Sequence, residues 1–191
     1  MNWNDSGFLL SKNKYNENSI IAEIYTKNHG KILGFIFGAS SQKIKNYLQI
    51  GNKLHINHTF KNEDKIGYFK VEILNALTPI FFDNKKQLMC ITAAMNLIKL
   101  LTAELQENPK IYTLINRFFE ILSSRNWIKN YIFWELELLK LVGYDLNINQ
   151  IVDKEVVNNK IKYYVKSNTE KKFVPNFLVD IKQEDLNNNF S

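Results

Sequence analysis

The segment that decides the fold is Lys53-Leu54-His55-Ile56-Asn57-His58-Thr59-Phe60. In it, polar residues alternate along the chain with the apolar residues Leu54, Ile56 and Phe60. The segment Tyr68-Phe69-Lys70-Val71-Glu72-Ile73 alternates in the same way. Because successive side chains of a β-strand point to opposite faces, this period of two predicts two strands that each bury one face. Three earlier apolar runs rich in β-forming residues extend the pattern towards the N-terminus, at 8–10, 19–26 and 31–37.

Turn-forming residues separate these runs, as expected for consecutive strands. The turns are Asn28-His29-Gly30, Gly38-Ala39-Ser40-Ser41, Gly51-Asn52 and Asn62-Glu63-Asp64. Five short strands within one small domain suit a barrel or a sandwich. The strand count and the size favour a five-stranded OB-fold.

The pattern becomes helical after Pro79. Apolar residues recur at three- and four-residue spacing from Leu88 onward, which predicts an amphipathic helix. Asn108-Pro109 ends that helix and starts a second one, and 127–141 gives a third that Gly143 ends in a left-handed conformation.

We therefore expect an α+β protein with two domains. Residues 1–79 form a five-stranded OB-fold barrel, and residues 80–191 form a helical domain. A small β-hairpin is inserted in the helical domain near 160–175, where 160–165 pairs with 171–175 across a turn.

The composition is that of a globular protein, since 45% of the 191 residues are hydrophobic and 23% are charged. Cys90 is the only cysteine, which excludes an internal disulfide and a cysteine-rich zinc site and suits a reducing cytosol. No apolar run reaches the roughly 18 residues of a membrane span, and the first residues lack the features of a signal peptide. We expect a cytoplasmic protein without a membrane partner.

No arrangement of residues makes a case for an enzyme, a metal site or a cofactor. His55 and His58 lie three apart in a strand and so point to opposite faces. Cys90 falls on the apolar face of a helix, which favours a buried thiol over a nucleophile. Glu135 and Glu137 lie two apart on a helix and face different ways, and no glycine-rich phosphate loop is present.

The basic residues of the barrel point to a polyanionic partner. The formal net charge is +6, and residues 1–80 carry ten lysines and six acids. Six lysines lie in or beside predicted turns: Lys12, Lys14, Lys27, Lys31, Lys43 and Lys45.

Aromatic residues are interleaved with these lysines: Tyr15, Tyr25, Phe35, Phe37 and Tyr47. Such a barrel can hold a single strand by pairing phosphates with ammonium groups and bases with rings. The alternative is that the lysines are solvated surface and the aromatics are core.

Two long motifs carry a family resemblance. The first is Tyr15-Asn16-Glu17-Asn18-Ser19-Ile20-Ile21-Ala22-Glu23-Ile24-Tyr25-Thr26-Lys27-Asn28-His29-Gly30-Lys31, followed by the loop Gly38-Ala39-Ser40-Ser41-Gln42-Lys43-Ile44-Lys45. The second is Tyr131-Ile132-Phe133-Trp134-Glu135-Leu136-Glu137-Leu138-Leu139-Lys140-Leu141-Val142-Gly143-Tyr144, with Phe173-Val174-Pro175-Asn176-Phe177-Leu178 further on. In order and spacing these segments resemble the bacterial RecO family of DNA repair proteins.

The resemblance implies an N-terminal OB-fold, a C-terminal helical domain and a non-catalytic recombination mediator. Such proteins bind single- and double-stranded DNA, anneal complementary strands and engage single-stranded-DNA-binding protein. With RecR, they help to load RecA onto coated strands.

This chain departs from the family pattern in three places. Residues 149–155 stand where some members carry a cysteine zinc module, so no zinc site is expected here. Phe37, Ser40 and Gln42 stand where members often have basic residues, and only Lys43 and Lys45 keep charge in that loop. Members also usually run longer, through further C-terminal helices.

The leading hypothesis is a nucleoid-associated recombination mediator whose six lysines contact the DNA backbone. One rival is a protein-interaction adaptor whose basic bias reflects the codon usage of an AT-rich genome. Another rival is an RNA-binding module, which requires base-stacking aromatics exposed on the barrel face.

Overall fold

The computed structural model describes residues 2–60, 66–144, 148–166 and 170–179. The chain divides into two compact units, Met1–Val142 and Gly143–Ser191. The domain boundary predicted at residue 79 would separate the barrel from the helices within the first unit, and it stays a prediction.

The first unit begins with a closed five-stranded barrel. Its strands are β1 (Trp3–Lys14), β2 (Ser19–Thr26), β3 (Gly30–Phe37), β4 (Lys53–Thr59) and β5 (Gly67–Asn75). They follow the order β1-β2-β3-β5-β4 and close from β4 onto β1. The β3–β5 pair is parallel and the other four pairs are antiparallel. A short helix, α1 (Gln42–Tyr47), connects β3 to β4. This is the topology of an OB-fold, and it confirms the predicted barrel.

The barrel closes because one face of every strand is apolar. The side chains that fill its interior include Leu9, Ala22, Ile24, Ile32, Ile36, Leu54, Ile56, Phe69 and Val71. In β4 the burial alternates as predicted, so His58 is buried with Leu54 and Ile56 while His55 lies half-buried on the other face. The alternation that decided the fold therefore also separates the two histidines.

Two local features differ from the expectation. Strand β1 begins at Trp3, five residues before the apolar run at Phe8. The segment expected to be a loop contains α1, which starts where the Ser41 hydroxyl accepts a hydrogen bond from the Ile44 amide. Six residues make too short a helix for its periodicity to be recognised in the sequence.

Three helices complete the first unit: α2 (Lys85–Leu101), α3 (Pro109–Leu122) and α4 (Trp127–Leu141), after a 3-10 turn at Thr78–Phe81. The Asn84 and Asn108 side chains cap α2 and α3, and Gly143 adopts a φ of 95° after α4. The three predicted helices are confirmed, and α3 starts at Asn108-Pro109 as predicted, but α2 ends at Leu101 rather than at Asn108.

The helices cover the outer side of β1. The Phe8 ring is fully buried, and its centroid lies 5.3 Å from that of Tyr112 and 6.3 Å from that of Phe119. The indole Nε1 of the buried Trp134 donates to the Leu114 carbonyl at 2.8 Å. These aromatic residues of the helices thus form a second core outside the barrel.

The second unit contains α5 (Ile148–Ile151), β6 (Val152–Val157), β7 (Lys160–Lys166), β8 (Lys171–Val174) and α6 (Asn176–Val179). The strands form an antiparallel sheet in the order β6-β7-β8. The predicted hairpin corresponds to β7 and β8, and β6 is an addition to it. Asn158 and Asn159 have φ values of 51° and 58°, so β6 and β7 are joined by a tight turn of two left-handed residues.

Among the described residues, no helix is both long and apolar enough to cross a membrane.

Candidate nucleic-acid interface

Helix α1 lies between two grooves on the surface of the barrel. The first, of about 380 Å³, is lined by Lys12, Lys14 and Lys45 together with Glu17 and neutral residues, and we call it the lysine groove. The second, of about 410 Å³, is the aromatic groove, and its lining includes Phe37, Lys43, Tyr47, Tyr68, Lys70 and Glu72. Because Lys43 and Lys45 are two apart on a helix, they point to different sides of α1 and reach different grooves.

Four of the six predicted lysines therefore gather around α1. Lys12, Lys14, Lys43 and Lys45 are all exposed. The Nζ atom of Lys12 donates to the Leu48 carbonyl at 2.5 Å, and partial burial lowers the pKa of this lysine. Lys12 thus links the end of α1 to β1 and adds positive charge to the lining of the lysine groove.

The other two predicted lysines lie elsewhere. Lys27 is exposed, but it follows the end of β2 that is remote from the lysine groove. At the usual rise per residue of a strand, Lys27 lies roughly 23 Å along β2 from Ile20, which lines that groove. Lys31 is only 8% exposed, and its Nζ atom donates to the Lys99 carbonyl at 2.7 Å. Lys31 therefore joins the barrel to α2, and these two lysines do not line either groove.

Aromatic rings form a continuous row on the outer face of the barrel, which we call the aromatic strip: Tyr15, Phe35, Tyr68 and Phe37. The ring centroids of Tyr15 and Phe35 are 4.9 Å apart, those of Phe35 and Tyr68 are 6.0 Å apart, and those of Phe37 and Tyr68 are 5.3 Å apart. The last pair is stacked, with an angle of 22° between the ring planes. Tyr25, another aromatic singled out in the sequence, is fully buried.

Sequence reasoning missed Tyr68 and Lys70 as members of the interface. The signal was available in the alternation of β5, which buries Phe69 and Val71 and turns Tyr68 and Lys70 outward. What the sequence does not show is that β5 pairs with β3, which places Tyr68 beside Phe35. This parallel pairing joins strands that are distant in the chain.

The Cys90 thiol and the His58 imidazole are both buried. Cys90 is buried, and burial, with a smaller effect from the Glu135 carboxylate, raises the pKa of its thiol to about 12. Burial also lowers the pKa of His58. Within the described ranges, no group of three or more histidine, cysteine, aspartate or glutamate side chains is placed to hold a metal ion.

The barrel order, the helix between β3 and β4 and the helices packed on β1 define an OB-fold protein with an attached helical domain. Two family profiles match it: "Recombination protein O N terminal" over residues 1–77 and "Recombination protein O C terminal" over residues 85–178. The chain belongs to the RecO family, as the sequence motifs had indicated.

Several curated relatives are named DNA repair protein RecO. The protein of Rickettsia canadensis (strain McKiel) is 31% identical over 165 residues, which cover 86% of this chain and 67% of the relative. The protein of Ruegeria sp. (strain TM1040) is 29% identical over 150 residues, which cover 78% of this chain and 62% of the relative. The aligned part therefore spans about two thirds of the length of these relatives.

Proposed function

We propose that this protein is a recombination mediator that binds single- and double-stranded DNA and anneals complementary single strands. It acts with RecR to load RecA onto strands coated by single-stranded-DNA-binding protein. The observation that carries the proposal is the convergence of lysines on two adjacent grooves of an OB-fold barrel. The linings of the two grooves contain five lysines and two glutamates.

The proposed mechanism is electrostatic. Each ammonium group that contacts a phosphate releases a condensed counterion, which favours binding and makes it depend on salt. The two positively charged grooves lie on either side of the short helix α1, so they can neutralise two strands at once. The repulsion between complementary strands is then lower, and base pairing nucleates more readily.

The proposal requires no bond-making chemistry by the protein and no cofactor. The buried thiol of Cys90 is poorly suited to nucleophilic attack, because the thiolate is the reactive form and a raised pKa suppresses it. A mediator of this kind acts in the cytoplasm, at the nucleoid.

The exposed lysines of α1 provide a direct test. We expect Lys43→Glu combined with Lys45→Glu to weaken binding to single-stranded DNA and to slow annealing. The slope of log affinity against log salt concentration should fall by about two, one for each lost phosphate contact. Fluorescence anisotropy with a labelled oligonucleotide, and annealing of complementary strands at about 50 and 200 mM salt, measure these changes.

The matched control is Lys85→Glu combined with Lys86→Glu. These two lysines are exposed at the start of α2, outside both grooves, so the control has the same net charge as the test variant. Equal losses in both double variants would show that only overall charge matters. Annealing of RNA but not of DNA would favour the RNA-binding alternative, and no annealing with salt-insensitive protein binding would favour an adaptor.

A further inference from the structure

We propose that the aromatic strip stacks the unpaired bases of a single strand, and that this contact makes the barrel prefer single strands to duplex. The inference rests on the proposed function and deepens it. It assigns the bases to the aromatic strip, with Tyr15 and Phe37 as the exposed stacking rings, and it leaves the phosphates to the lysines of the two grooves.

The strip lies on the outside of the barrel because of the strand register. Phe35 pairs with Tyr68 across the parallel β3–β5 contact, and their neighbours Ile36 and Phe69 point into the core. Phe37 follows Phe35 on the same outer face, and Tyr15 lies just beyond the end of β1. The pleat of β3 and β5 therefore places Phe35, Tyr68 and Phe37 on one face, and Tyr15 extends the row by its contact with Phe35.

The rings at the two ends of the strip are open to solvent. Phe37 is 59% exposed and Tyr15 is 61% exposed, whereas Phe35 and Tyr68 are half-buried between them. Within the strip the rings contact one another, so Phe37 has a firm stacked neighbour in Tyr68. An exposed ring that is held in place from behind can receive a further π-system on its open face at little cost in side-chain entropy.

The charges beside the strip identify the occupant. Phe37 and Tyr68 share the aromatic groove with Lys43 and Lys70, and Lys14 in the lysine groove is the residue before Tyr15. Rings flanked by ammonium groups match a ligand in which flat bases alternate with phosphates. Every base has a π-face, so this contact carries no sequence preference.

Stacking on the aromatic strip favours single strands. The bases of a duplex are already stacked on one another, so their faces are hidden from the protein. A single strand presents the faces of its unpaired bases, and these can stack on the exposed rings of Tyr15 and Phe37.

The test separates bases from phosphates by using two ligands of equal charge. One is an oligothymidine of about 16 nucleotides, near the upper site size of an OB-fold, and the other is a strand of the same length made of abasic residues. We expect the protein to bind the oligothymidine more tightly. Phe37→Ala should weaken binding to the oligothymidine roughly fivefold or more, and it should change binding to the abasic strand by less than about twofold.

Two further variants make the result specific. Phe82→Ala is the matched control, because Phe82 is 54% exposed in the same unit but lines neither groove. It should leave both affinities within about twofold of the original protein. Phe37→Trp, which keeps an aromatic ring, should bind the oligothymidine as tightly as the original protein does. Phe37→Ala should leave the slope of log affinity against log salt concentration unchanged, because no phosphate contact is lost.

The outcomes distinguish this inference from the proposed function. Equal affinity of the unaltered protein for the two ligands, or equal losses from Phe37→Ala and Phe82→Ala, would overturn base stacking while leaving phosphate binding intact. Failure to bind either ligand in dilute buffer would overturn the proposed function itself. Circular dichroism of each variant confirms that the barrel is folded.

Discussion

His58 is a titratable side chain in an apolar environment at the end of the barrel. Its ring centroid lies 4.5 Å from that of Trp3 and 5.4 Å from that of Phe69. Gly67 backs the ring so closely that a Cβ atom there would lie 2.0 Å from the His58 Nε2 atom. Burial lowers the pKa of His58, and the neighbouring His29 lowers it further.

This environment predicts that the barrel loses stability in mild acid. Below the ordinary histidine pKa of about 6.5, the unfolded chain takes up a proton that folded His58 resists. The free energy of unfolding therefore falls as the pH decreases from about 7 to 5, by at most about 1.4 kcal/mol per pH unit for this single proton. His58→Gln, which keeps a polar side chain but does not titrate, should flatten the decrease in urea unfolding curves recorded across this range.

His55→Gln is the matched control, since the same substitution falls on the half-buried face of the same strand. Both variants keep the contact in which the His29 Nδ1 atom lies 2.9 Å from the Asp5 carboxylate. The difference between them therefore isolates His58. An identical pH dependence in the His58 variant and the unaltered protein would contradict this interpretation.

At the scale of elements, Asn52 joins three parts of the first unit. The Nδ2 atom of this fully buried residue donates to the Tyr47 carbonyl at the end of α1. Its Oδ1 atom accepts from the Thr78 amide at the start of the 3-10 turn, and its backbone carbonyl accepts from the Leu9 amide of β1. Gly51 makes this junction possible, because its φ of 90° favours glycine and a Cβ would lie 2.8 Å from the Thr78 hydroxyl.

Asn52→Ala should lower the free energy of unfolding by about 2–3 kcal/mol, because it leaves the buried Thr78 amide and the partly buried Tyr47 carbonyl without this partner. Asn46→Ala is the control: Asn46 is exposed on α1, and surface substitutions usually change stability by less than about 0.5 kcal/mol. Chemical denaturation monitored by circular dichroism measures both. Equal stabilities of the two variants would show that the junction contributes little.

The elements that could be predicted are those whose periodicity is long. The alternation of β4 and β5, and the apolar stripes of α2 to α4, are each repeated often enough to specify a strand or a helix. α1 spans six residues and β6 has only weak alternation, so neither was expected. The two-residue turn Asn158-Asn159 could have indicated β6, since asparagine tolerates left-handed backbone angles.

The candidate site was only partly predictable, because the local sequence does not show which surfaces tertiary contacts will bury or bring together. Exposed lysines near turns are visible in the sequence, and Lys12, Lys14, Lys43 and Lys45 do line the grooves. Lys31 follows a turn as well, but it is buried against α2. That burial depends on tertiary packing, which the local sequence does not reveal. The partnership of Phe35 with Tyr68 likewise depends on a pairing between distant strands.

At the scale of the whole molecule, the first unit should fold without the second. Its barrel, its three long helices and every residue that lines the two grooves lie within Met1–Val142. We expect a fragment of residues 1–142 to unfold cooperatively and to bind the oligothymidine within about twofold of the full chain. Thermal melting by circular dichroism and fluorescence anisotropy measure these two properties.

A fragment of residues 1–79 should behave differently, because the helices contribute to the stability of the barrel. Without them, the fully buried rings of Phe8 and Tyr25 lose their cover. The Ser6 hydroxyl loses its hydrogen bond to the Tyr112 hydroxyl, and the Lys31 ammonium loses the Lys99 carbonyl. Exposed apolar rings and freed polar groups both disfavour the folded state, so this fragment should lack a cooperative transition. Cooperative unfolding of the shorter fragment with unchanged affinity would instead establish residue 79 as the boundary of an independent domain.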